Sequence, residues 1–411
     1  MRWNPHNRSA HLILSANWGP GRFHESSQIS AYSDMPVPLD QASLFSGELP
    51  AETKPEEGLP VSANPPVERR ARTPRRIAGV QPAEPSPDLL ELAKSLPSHL
   101  WLGTSSWSFP GWSGLVWGGQ YPDAKLSKEG LPAYSKHPLL QTVSLDRAFY
   151  RPLSVSQYAQ YAAQVPDGFR FVVKAPSLVA DAQVRSETGR GMTLNPAFLS
   201  PDLAIREFME PALEGLGAKV GALVFQISPL PHQLLSRIPE VIEKIGIMLA
   251  ALPCVTPRAP DGVVAIEVRD AAFLTATNAP LLARMLRQAR ATNPTTYCLG
   301  LHAKMPPIED QLPLLRALWP GPLVCRWNLH RRHGAYGYEA ARQTYEPFDR
   351  LVDPDLQTRE ALTRVIKGTT GEKLPAYITI NNKAEGSAPL SVVELAKAVR
   401  MNSHQRQSPS A

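Results

Sequence analysis

Eight short apolar runs, each followed by a stretch of helical period, constrain this chain more than any other feature. They read HLWLGTS (99–105), LQTVSLD (140–146), FRFVVKA (169–175), GALVFQIS (221–228), GVVAIEVR (262–269), TTYCLGLH (295–302), PLVCRWNL (322–329) and AYITINNK (376–383). Between them lie SVSQYAQYAAQV, LAIREFMEPALEGL, LLSRIPEVIEKIGIMLAAL, PLLARMLRQAR and SVVELAKAVRM, whose apolar residues recur at helical spacing. Near-continuous apolar strands alternating with helices imply parallel strands buried on both faces. Eight such units over about 300 residues predict an α/β fold of the TIM (β/α)8 barrel type. A doubly wound open sheet would alternate in the same way, but no GxGxxG turn follows the first run.

The first hundred residues have a different character. The chain has 42 prolines, many of them here, and no sustained strand or helix period appears before about Pro97. Such a segment buries too little apolar surface to offset its ordering entropy. The expected organisation is a disordered Pro/Ser-rich tail over 1–97, a barrel over 98–403 and a disordered end over 404–411. Met35 is a plausible alternative start, which would leave residues 1–34 untranslated. The basic run NPPVERRARTPRR (64–76) reads as a solvated linker or as a nucleic-acid arm. Net charge of +6 permits nucleic-acid contact without demanding it. Cys254, Cys298 and Cys325 form no CxxC pair, which fits a reducing cytoplasm. No apolar stretch approaches the length of a membrane span.

In such a barrel, chemistry belongs at the carboxyl ends of the strands. Polar residues gather at each of these ends: Ser105 and Trp107, Asp146 and Arg147, Lys174, Gln226, Glu267 and Arg269, His302, then Arg326, Asn328 and His330, and finally Asn381, Asn382 and Lys383. They predict a mouth that binds a polar or anionic ligand. Glu267 and Arg269 share a face by the period of two. Glu267 is therefore either an ion-pair partner or a general base, with Asp146 as the other candidate catalytic carboxylate. Arg326, Asn328 and His330 share a face and suggest a phosphate or carboxylate cradle. The run RRH (331–333) reads as a rim or an anion clamp. His302, His330 and Glu267 are a chemically sensible metal set without diagnostic spacing, so metal and cofactor stay open. No HExxH, P-loop or GxSxG occurs. Trp107, Phe109 and Trp112 form either a packed loop or a stacking platform.

The segments GTSSWSFPGW, VSLDRAFYRPL, VPDGFRFVVKAP, GALVFQIS, AIEVRD and NNKAEGSAPLS, in this order, resemble the YecE-like family, a domain-of-unknown-function group of TIM barrels. The resemblance spans roughly Trp101 to Met401. It implies recurring residues at Gly103, Thr104, Ser105, Trp107, Trp112, Asp146, Phe149, Tyr150, Phe171, Lys174, Pro176, Gln226, Glu267, Arg269, Asn381 and Asn382. The chain departs from the family where many members carry Glu at Ser144, Gly at Ser106 and Asn at Asp146. Members have been compared with metal-dependent apurinic-site endonucleases, an analogy of fold alone. The readings that follow are an enzyme on a nucleic-acid or phosphorylated substrate, a non-catalytic DNA-associated module, or a sugar hydrolase using Asp146 and Glu267. QASLF (41–45) resembles the Q-x-x-L-F peptide by which bacterial replication and repair proteins dock on the sliding clamp. Gln41 would supply the amide, and Leu44 and Phe45 the apolar anchor.

Overall fold

The structure is a computed structural model that describes residues 79–185, 192–334 and 336–404. The docking peptide Gln41, Leu44 and Phe45, the basic run 64–76 and residues 405–411 lie outside the described residues.

Eight parallel strands close into a barrel: β1 (Leu100–Thr104), β2 (Thr142–Leu145), β3 (Arg170–Lys174), β4 (Val220–Ile227), β5 (Val263–Val268), β6 (Thr295–Leu301), β7 (Leu323–Trp327) and β8 (Ala376–Ile380). Each pairs with its neighbour in sequence, and β1 closes on β8 with Leu100 opposite Ala376 and Thr104 opposite Ile380. Seven lie within the predicted runs, and β4 begins one residue before its run, at Val220. A two-stranded antiparallel ribbon, Gln183–Arg185 with Met192–Leu194, hangs between β3 and β4 and was not anticipated.

The strand period of two sorts every side chain. Outward residues such as Val143, Phe171, Leu223, Ile266, Leu299 and Ile378 pack under the surrounding helices in one large apolar cluster. Inward residues form a second, smaller cluster: Trp101, Val172, Ala222, Val224, Val263, Ala265, Cys298, Val324 and Tyr377. Its amino end is stoppered. Trp101 stacks on Tyr377 at 5.0 Å between ring centroids, Arg170 lies 5.6 Å over the Trp101 ring, and Arg170 pairs with Asp261 at 2.7 Å. Two residues further along from the small apolar plug, five of the inward rows turn polar, at Lys174, Gln226, Glu267, Arg326 and Thr379, while β1 and β6 carry Gly103 and Gly300 there. That switch builds the site.

The expectation of no ordered structure up to Pro97 is corrected for residues 79–97. Pro87–Lys94 is a helix whose N-cap Ser86 accepts from Leu89 N at 3.2 Å, and its Leu92 is buried. It packs against the final helix, Ala388–His404. The signals were Ser-Pro-Asp at its start and leucines three residues apart. Eight residues are too few to stand as an isolated helix, so the partner surface decides its existence.

Candidate functional site

Arg326, on the inward face of β7, organises the carboxyl end of the barrel. It is 2% exposed and spends its fork on three acceptors from three other strands. Nη1 donates to Glu267 Oε2 at 2.7 Å and to Gln226 Oε1 at 3.0 Å, while Nη2 donates to both Asp146 oxygens at 3.0 Å. Gln226 Oε1 also accepts from Arg269 Nη2 at 2.8 Å. Arg269 Nε lies 2.7 Å from Glu267 Oε1, close enough for an ion pair but not aligned as a hydrogen bond. One carboxylate therefore faces two guanidiniums, and one amide oxygen ties the guanidiniums together.

Glu267 is an ion-pair partner, which works against a role as general base. It is fully buried. Burial alone would push its carboxyl up, but Arg269 and Arg326 outweigh burial and hold it at about 2. A carboxylate so strongly held as an anion is a poor acceptor for a substrate proton near neutral pH. Glycine at 300 makes room for it, since a β-carbon there would sit 3.2 Å from Glu267 Oε1. Arg326 is shifted the other way: burial opposes its charge, and Asp146 and Glu267 more than compensate. Asp146 accepts a further bond from Ser144 Oγ at 2.7 Å, so Ser144 braces the carboxylate two residues on.

Lys174, at the last position of β3, is 6% exposed, with its Nζ 3.3 Å from the centroid of the Phe149 ring. Burial lowers its pKa to about 7; Asp146 and Glu267 oppose the shift, and Arg326 and Arg269 reinforce it. Tyr338, from the helix Tyr338–Tyr345 after β7, reaches the same region. Its hydroxyl lies against the Arg269 side chain, its ring is 5.1 Å from His302, and Lys383 Nζ is 5.6 Å from its centroid. Sequence reasoning missed Tyr338, because a residue eleven positions past a strand carries no strand-end signal. Burial, with Arg269 and Lys304, lowers His302 to about 3, and its Nδ1 accepts from Lys304 N at 3.1 Å.

The structure thus brings together Asp146, Lys174, Gln226, Glu267, Arg269 and Arg326, with Asn328 just past the end of β7. Ser105 and Asn381 meet each other at 2.7 Å across the β1–β8 seam. Other expectations need correction. His330 lies beyond β7 in the rim, where its Nδ1 accepts from Arg332 N at 3.2 Å, so it does not extend the Arg326–Asn328 face. Asn382 is structural: its Oδ1 accepts from Trp112 Nε1 at 3.2 Å and from Ala388 N at 2.8 Å at the start of the last helix. The RRH run is engaged locally, with Arg331 on Met305 O, Arg332 on Asp353 and His333 on the Tyr345 hydroxyl. Trp112 is fully buried against Phe109 and Trp117, and Trp107 meets Tyr161 edge-on, so this loop is packed. Among the described residues no three His, Cys, Asp or Glu side chains gather into a group that could hold a metal ion, and His302, His330 and Glu267 are not such a set.

A family model described as protein of unknown function DUF72 matches residues 101–411. The chain belongs to the DUF72 family. This is the YecE-like family that the motifs resemble. No curated protein matches the chain. Among solved structures, the DUF72 barrel is similar to a DUF72 family protein from Enterococcus faecalis V583 (16% identity, 76% of this chain and 97% of that one, TM-score 0.45). It is also similar to a DUF72 family protein from Thermotoga maritima MSB8 (17% identity, 72% and 98%, TM-score 0.42) and to the Ignisphaera aggregans GH53 catalytic domain (13% identity, 74% and 97%, TM-score 0.41). At these levels the likenesses carry nothing about activity. No helix among the described residues of the DUF72 barrel is long and apolar enough to cross a membrane.

Proposed function

We propose that the carboxyl end of this barrel binds a small, oxygen-rich anion, carried by a phosphate or carboxylate group. The observation that carries the reading is a surplus of unspent donors. Trp107 Nε1, Arg326 Nε and Asn328 Nδ2 are buried without a hydrogen-bond acceptor. Lys174 Nζ lies over the Phe149 ring face and makes no hydrogen bond or ion pair among the described residues. Buried donors without acceptors are costly, and a ligand offering several oxygens answers that cost. Charge points the same way: Arg269 and Arg326 are added to Lys174 at the strand ends, where Glu267 and Asp146 face them and Asp181 acts on Lys174 from the β3–β4 connection. The hydrolase reading loses its footing, because Arg326 joins its two carboxylates and Glu267 has no proton to give. Titration calorimetry with inorganic phosphate and with short carboxylates tests the anion site. Binding that falls at least about ten-fold in Arg269→Gln supports it; no heat with any of these anions at millimolar concentration removes it.

Association with the sliding clamp is a separate proposal, carried by QASLF alone. A peptide spanning Asp40–Ser46 is expected to bind the clamp and to lose binding when Leu44 and Phe45 become Ala. A silent native peptide ends that proposal.

A further inference from the structure

We propose that Lys174 is a nucleophile that captures the carbonyl group of a small aldehyde or ketone bearing an anionic substituent, forming an imine at its Nζ. The inference rests on the anion-site reading and adds to it a substrate class and a covalent step.

A lysine kept inside a fold for structure looks like Lys219. Its Nζ donates to Ala162 O at 2.8 Å and Val165 O at 2.7 Å and lies 3.6 Å from Asp167. Lys174 is the opposite case. It is more deeply buried, ends a barrel strand on the inward row, and makes no ion pair or hydrogen bond among the described residues. Asp146 and Glu267, the carboxylates whose charges act on it, are already held by Arg326 and Arg269, and Asp181, which also feels its charge, makes no ion pair with it. A desolvated amine beside two fixed guanidiniums is an activated one, because its charged form is disfavoured. Its pKa of about 7 agrees, and leaves a large neutral fraction at physiological pH. The Phe149 ring face pulls toward the ammonium, yet burial wins.

The step balances without any further reagent. The Nζ lone pair attacks the carbonyl carbon, and the carbonyl oxygen takes up the proton that the nitrogen gives away, forming a carbinolamine. The C–O bond then breaks, and the hydroxyl leaves as water with one more proton from the nitrogen, leaving C=N. Asp146, fixed by Arg326 and Ser144 and acting electrostatically on Lys174, is assigned the relay of those protons in this proposal. Arg269 is positioned for the anionic substituent.

The test uses the full chain, glyceraldehyde 3-phosphate and unphosphorylated glyceraldehyde, each trapped with sodium borohydride and mapped by peptide mass spectrometry. We expect saturable labelling of Lys174 at pH 7, on the order of a hundred-fold faster than at exposed Lys128 and Lys244. An amine of ordinary basicity is neutral to less than about one part in a thousand at that pH. Labelling should rise through pH 7, be slowed by inorganic phosphate, and vanish from this peptide in Lys174→Arg. Labelling of Lys174 no faster than of Lys128 overturns the imine proposal; phosphate binding by calorimetry in the same preparation would then leave the anion site standing. Equal rates with both aldehydes and no effect of phosphate overturn the anion site instead, while leaving the nucleophile.

Discussion

At the scale of single residues, the barrel mouth is organised by burial of charge. Glu267 matters because two guanidiniums face it where water cannot screen them. Glu267→Gln is expected to destabilise the fold by about 3–5 kcal/mol, read by urea unfolding, since it leaves buried positive charge without its counterion. Glu267→Asp should recover part of that loss. Gly300→Val is expected to lower stability as well, by crowding Glu267 Oε1, and the two changes together should cost less than their sum. Lys174 supplies a pH signature. Its folded value of about 7 lies below the ordinary 10.5. Between those values the unfolded chain holds a proton that the folded chain lacks, so stability falls as pH drops from about 10.5 to 7, and the loss is complete below. Lys174→Met should flatten that slope in thermal unfolding measured from pH 7 to 10.5. An unchanged slope would mean that the amine titrates normally.

Among the elements, strands were far more legible than what hangs between them. Each predicted apolar run coincides with its strand to within three residues at the ends, because burial on both faces leaves few other residues usable there. The inward row could be read by counting in twos from Glu267 to Arg269 or from Arg326 to Asn328. Counting failed where the strand stopped: β7 ends at Trp327, so His330 belongs to a turn, and Asn382 sits in a tight turn that fastens the last helix to Trp112. The sharing of Glu267 between two arginines was also beyond reach, because it depends on which strands become neighbours across the barrel. The helix Pro87–Lys94 was missed for a related reason, as its stability comes from the final helix rather than from its own eight residues. Leu92→Ala is expected to cost about 2–5 kcal/mol in chemical unfolding if this helix is part of the cooperative unit. A loss near zero would show that it frays independently.

For the barrel as a whole, composition bounded little and topology decided much. A mildly basic chain of ordinary hydrophobicity fits many functions, whereas a closed ring of eight strands places every inward strand-end residue around one opening. The opposite end is shut by Trp101, Tyr377, Arg170 and Asp261. Arg170→Ala should therefore weaken the closure and lower the melting temperature without altering phosphate affinity at the far end, a separation that calorimetry and thermal unfolding measure together. That stopper has a kinetic consequence. A barrel shut at that end leaves the carboxyl mouth as the way to Lys174, so an aldehyde captured there, as proposed above, would have to leave by the path on which it arrived. An anion seated at the mouth should accordingly slow both the capture of the aldehyde and its release.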